Sequence, residues 1–111
     1  MRKFFVCTAA VFACAGAGVL PAAMAAEAGA MERGKTLFTT EAVPACAICH
    51  TLADAGSEGA IGPDLDELKP GKDVILKVLK EGMGAMPSFA ETMSEADMQA
   101  VADYVVSATG Q

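Results

Sequence analysis

The sequence predicts an all-α fold of three main helices and one short helix. Three observations predict it. Apolar or small residues recur at helical spacing in three places: Met31, Gly34, Leu37 and Phe38; Val74, Ile75, Val78 and Leu79; and Val101, Ala102, Val105 and Ala108. No segment alternates apolar and polar residues as a half-buried strand does. Residues 46–50 read Cys46-Ala47-Ile48-Cys49-His50, two thiols one helical turn apart with the only histidine directly after them.

The elements follow in order. Met1-Arg2-Lys3 is a short basic start, and the run from Phe4 to Val19 is apolar. Pro21 breaks it, and Ala23-Met24-Ala25 offers a small-x-small cleavage pattern. This is the outline of a secretory signal peptide over residues 1–25, leaving one domain over 26–111. Two other readings tie the chain to a membrane. Residues 4–26 are long enough to span a bilayer uncleaved. Cys14, after Val11-Phe12-Ala13, faintly resembles a lipidation site that Phe12 fits poorly.

The spacing predicts a first helix over residues 28–39, closed by 39–44, and a short helix carrying the two cysteines. Residues 52–68, with Gly56, Gly59, Gly62 and Pro63, predict a loop. Pro70-Gly71 opens the next helix, and Gly82 ends it where a left-handed cap is wanted. Residues 82–89 form a glycine-loosened loop. Ser94 and Asp97 make a capping box for the last helix, Met93 can staple to Met98, and Gly110 ends it.

The full chain carries a net charge of −6. Cleavage removes Arg2 and Lys3 and makes it more negative. An acidic small protein avoids nucleic acid and favours partners with a basic or neutral face. Lys69, Lys72, Lys77 and Lys80 cluster in one segment; this is a solvated helix face, with a docking patch as the alternative.

Cleavage also removes Cys7 and Cys14, so Cys46 and Cys49 are the cysteines that remain. Cys-x-x-Cys-His in an exported chain is the attachment pattern for c-type haem. Two thiols add to the two vinyl groups, and the adjacent imidazole meets the iron. A structural zinc site needs four ligands, and two cysteines with one histidine fall short. A short chain without Trp is hard to stabilise by its own core, and a buried porphyrin would supply the missing apolar volume. For the sixth ligand no second histidine exists. Met31 and Met98 lie on helix stripes and Met93 has the staple role, which leaves Met83 and Met86 in the glycine-rich loop.

Cys46-Ala47-Ile48-Cys49-His50, Ile61-Gly62-Pro63-Asp64-Leu65 and Gly84-Ala85-Met86-Pro87 occur in that order and at these distances. In this the chain resembles small class I cytochromes c with a single haem, and the resemblance covers residues 26–111. It implies haem c held by Cys46 and Cys49, with His50 and Met86 as iron ligands. It also implies that the Pro63 carbonyl accepts a hydrogen bond from the other nitrogen of His50. Gly34 and Phe38 resemble the family's first-helix glycine and aromatic, which pack on an aromatic of the last helix, here Tyr104. The segment around residues 82–89 is similar to the cytochrome subunits that pair with periplasmic sulfite dehydrogenases.

The function so implied is periplasmic electron transfer in a respiratory chain, not catalysis. A periplasmic dehydrogenase is the donor, and an oxidase or another cytochrome is the acceptor. Two readings compete: a haem enzyme or gas sensor with a labile sixth ligand, and a thiol–disulfide or metal-binding module. Mass spectrometry of the exported protein separates the last of these. The cleaved polypeptide is expected to carry the added mass of one haem. A mass equal to the polypeptide less two hydrogens identifies a disulfide instead.

Overall fold

A computed structural model describes residue 18 and residues 21–111. Most of the expected signal peptide, with Cys7 and Cys14, lies outside the described residues. Helix α1 spans Ala22–Thr36, α2 Cys46–Cys49, α3 Leu65–Leu68, α4 Lys72–Glu81 and α5 Glu95–Ala108. Two short strands, β1 (Thr51–Leu52) and β2 (Ser57–Glu58), pair antiparallel with Thr51 opposite Glu58. The fold is all-α, as expected, with α1, α4 and α5 as its three main helices.

The first helix differs from its expected limits at both ends. It starts earlier because the alanine-rich run 22–30 favours helix on its own. At its far end α1 passes into a π-helical turn, Leu37–Glu41, closed by the Ala42 N–H donating to Leu37 O at 3.1 Å. Thr39 and Thr40 turn their hydroxyls back onto the carbonyls four residues earlier. Leu37 and Phe38 stay buried in this wider turn, which the apolar stripe alone does not distinguish from α-helix.

The region 52–68, expected as a loop, contains the end of β1, all of β2 and α3. Two-residue strands are too short to show alternation. Helix α3 is one turn, capped by Asp64, whose side chain accepts from the Asp66 and Glu67 N–H groups. Gly82 ends α4 as expected, but with φ 73° and ψ 169°, outside the left-handed cap region. The chain leaves the helix there towards the next loop. Ser94 caps α5, accepting from the Asp97 N–H at 3.1 Å, and Met93 and Met98 are both buried.

Helix α1 packs chiefly on α5. A Cβ at Gly34 would lie 2.1 Å from the Ala100 carbonyl oxygen and 2.6 Å from Tyr104 Cβ, so only glycine permits the crossing. One turn on, Phe38 meets Tyr104 edge to face, with ring centroids 5.9 Å apart. Arg33 reinforces the crossing by pairing with Asp97 at 2.9 Å and with Glu41. The Tyr104 hydroxyl donates to Asp54 at 2.7 Å, and Lys35 pairs with the same carboxylate at 3.1 Å. The tyrosine hydrogen bond first, and Lys35 second, hold the Asp54 carboxyl below the usual range. The hairpin connection is thereby tied to α1 and α5.

The lysine cluster divides. Lys72 pairs with Asp103 at 2.5 Å and Lys80 with Glu95 at 2.9 Å, joining α4 to α5. Such exposed pairs each add little stability, but they occupy two of the four lysines. Gly34→Ala is expected to force α1 and α5 apart and to destabilise the fold by about 1–3 kcal/mol, the usual cost of overpacking. Denaturant unfolding of the wild type and the variant measures the difference.

Candidate functional site

Helices α4 and α5, the Phe38 turn, α2 and the loop after α4 enclose a cavity of about 350 Å3. Its wall is apolar, from Phe38, Leu65, Ile75, Leu79, Val101 and Val105 among others. Among the described residues, His50 is the only wall residue whose side chain carries nitrogen or oxygen. The remaining side-chain heteroatoms are the sulfurs of Cys46, Cys49, Met83 and Met86. The structure therefore brings Cys46, Cys49, His50, Pro63 and Met86 to one cavity, with Met83 beside them. Imidazole and sulfur donors in an otherwise apolar chamber fit a haem and its iron.

The local folding of each part has a physical cause. Cys46 and Cys49 span a single helical turn, which puts both thiols on one side. The chain then becomes extended at His50, with φ −111° and ψ 141°. The Gly62 N–H donates to Cys49 O at 2.7 Å, and His50 Nδ1 lies 2.8 Å from Pro63 O. A carbonyl only accepts, so Nδ1 is the donor, and in the neutral ring Nε2 is then the nitrogen with the lone pair. A Cβ at Gly62 would lie 2.5 Å from His50 Cε1, so the imidazole occupies the place a side chain would need.

Met83 and Met86, also on the cavity wall, face each other as a β-bridge, each N–H donating to the other's carbonyl at 3.0 Å. Gly84, at φ 57°, takes the first position of this two-residue turn, the sign pattern of type II′. Directly opposed residues put their side chains on one face, so both methionines reach the cavity. They differ in depth. Met83 is 69% exposed, whereas Met86 packs against the core. The loop is anchored behind them by the Phe89 N–H donating to Leu79 O at 2.7 Å.

Burial pushes the Cys46 thiol up to about 11. Redox-active Cys-x-x-Cys pairs lower a thiol instead, and thiolate is the form that binds zinc. No group of three or more His, Cys, Asp or Glu that could hold a metal ion exists among the described residues. No helix there is long and apolar enough to cross a membrane.

Sequence reasoning did not single out Asp66, whose side chain accepts from the Ala53 N–H at 2.7 Å behind His50. Nor did it find the role of Asp54. Both are surface acids in an acidic chain, and only their spatial partners distinguish them.

This fold and this cavity define a small class I cytochrome c. Residues 29–105 match the family described as cytochrome c oxidase, cbb3-type, subunit III, and the chain belongs to that family of c-type cytochrome domains. The chain is also similar to the c-type cytochrome SorU from Sinorhizobium meliloti, known from its crystal structure. The identity is 38% and the TM-score 0.72, over 76% of this chain and 95% of that one. Comparison with curated proteins gives no match. As a c-type cytochrome the protein binds haem c covalently.

Gly62→Ala is expected to displace the His50 ring and break its bond to Pro63. The haem-to-protein absorbance ratio of the purified variant should fall well below that of the wild type.

Proposed function

We propose that the protein is a periplasmic electron carrier whose haem is tethered by Cys46 and Cys49 and whose iron is held by His50 and Met86. The observation that carries this reading is the donor set: one imidazole and four sulfurs in an apolar wall. Bound haem supplies an iron centre that accepts and gives up one electron. The Pro63 carbonyl holds the His50 proton on Nδ1 and leaves Nε2 free for the metal. Such a hydrogen bond also raises the basicity of the ligand. The Met86 thioether is soft and neutral, and methionine ligation raises the potential. The apolar wall disfavours water, and the reciprocal Met83–Met86 hydrogen bonds restrain the loop. Rigid ligands keep the geometry alike in both oxidation states.

Export is supported by the basic-apolar leader and its small-residue cleavage pattern. Residues 21–29 are all exposed, so cleavage after Ala25 would leave the packed part of α1 intact. A periplasmic dehydrogenase is the donor we propose, of the sulfite-oxidising kind that the segment 82–89 resembles. An oxidase or another cytochrome is the acceptor.

Visible spectra and potentials of the wild type, Met86→Ala and Met83→Ala test the ligation. The ferric wild type should show the weak far-red band of methionine-bound iron. Met86→Ala should keep covalent haem, lose that band, bind CO and show a lower potential; Met83→Ala should change none of these. Loss of the band in Met83→Ala would move the ligand to Met83. A wild type lacking the band and binding CO at once would make the protein a haem enzyme or gas sensor.

A further inference from the structure

Three hydrogen bonds behind the candidate ligand share one offset. The Gly62 N–H donates to Cys49 O at 2.7 Å, His50 Nδ1 donates to Pro63 O at 2.8 Å, and the Ala53 N–H donates to Asp66 Oδ2 at 2.7 Å. Each joins residues thirteen apart, so the run 62–66 lies in register beside 49–53. In the third rung a side chain supplies the acceptor. The chain has by then turned into α3, where the carbonyls of Asp64 and Leu65 accept from Leu68 and Lys69. Asp66 is held by that turn, since its own N–H donates to Asp64 Oδ1 at 2.9 Å.

Pro63 has no N–H and so cannot anchor itself. Its carbonyl is placed by its neighbours, Gly62 on one side and the segment 64–66 on the other. Without the last rung, Pro63 could pivot about Gly62 and its carbonyl would meet Nδ1 less squarely.

We propose that Asp66 is a positioning residue for the proximal histidine: by gripping the Ala53 N–H it closes the register that holds Pro63 O on His50 Nδ1–H. It thereby sets the donor strength of the imidazole. This rests on the reading of His50 as an iron ligand. A weaker Nδ1–H bond makes the imidazole less basic and favours the ferrous state, so loosening the register raises the potential.

Removing a carboxylate also raises a haem potential directly, and the variants separate the two effects. Asp66→Ala removes both the acceptor and the charge. Asp66→Asn removes the charge and keeps an acceptor oxygen. Ala53→Pro removes the donor and keeps the charge. Proline is tolerated at 53, the first residue of the turn Ala53–Ala55, and Leu52 is already extended at φ −154° and ψ 111°. The measurements are midpoint potential and the hyperfine-shifted resonances of the haem methyls and the His50 ring in the ferric holoprotein.

The proposal expects Asp66→Ala and Ala53→Pro both to shift the His50 ring resonances and to raise the potential. Asp66→Asn should leave the ring resonances at their wild-type positions. Equal upward shifts in Asp66→Ala and Asp66→Asn with Ala53→Pro unchanged would reduce Asp66 to a nearby charge and overturn the proposal. So would unchanged resonances and potential in all three, whatever happens to thermal stability. Failure of both Asp66→Ala and Ala53→Pro to retain haem while Asp66→Asn retains it would mark the rung as needed for folding, and would likewise overturn it. The wild type's far-red band is the control. If it is absent, the axial-ligand reading has failed; if it is present and no variant moves the His50 resonances, only the role of Asp66 has.

Discussion

The hydrogen bond from His50 Nδ1 to the Pro63 carbonyl is the contact on which the rest of the site depends. It joins the residue after the cysteine turn to the segment entering α3, at 2.8 Å. It leaves one imidazole nitrogen with an available lone pair, facing a chamber with no other nitrogen or oxygen side chain among the described residues. Gly62 makes the approach possible by having no Cβ. Much of the chain between residues 50 and 66 serves to bring two short runs side by side.

The chamber also accounts for how so short a chain forms a folded unit. Phe38, Leu79, Val101 and Val105 are each nearly inaccessible, yet all four line the cavity. They are at once the packing surface of the helices and the wall of the cofactor site. Small domains bury a low fraction of their surface and are correspondingly marginal. A covalently bound haem adds a large apolar body to the chamber that these side chains wall. The cofactor of this c-type cytochrome is therefore part of its core. Around that centre, Gly34 lets α1 and α5 cross closely, and exposed ion pairs link α4 to α5.

Much of this was legible in the residues. The stripe Val74, Ile75, Val78 and Leu79 named a helix, because a period near 3.6 is the repeat of an α-helix and not of a strand; all four line the cavity, but Leu79 is buried whereas Val74 is 56% exposed. Ser94 with Asp97 named the start of α5. What was not legible has physical reasons too. The π-helical turn at Leu37–Glu41 buries the same residues that continued α-helix would, so the pattern could not report it. The strands β1 and β2 are two residues each, below the length at which alternation exists. Asp54 and Asp66 look like any surface acid until Tyr104, Lys35 and the Ala53 N–H are seen beside them. Lys72 and Lys80 likewise look solvated until Asp103 and Glu95 appear across from them.

By itself the sequence determined the helical class, the thiol and imidazole chemistry of residues 46–50 and the resemblance to small monohaem cytochromes, because these rest on residue type and short spacing. Tertiary structure decided what depends on distance between remote residues. It set Met86 deeper than Met83, aimed Pro63 O at His50 and laid 62–66 against 49–53 in register. It also divided the lysines between ion pairs and solvent. Spacing along a chain specifies which groups are neighbours on one turn; only folding specifies which groups from different turns share a cavity.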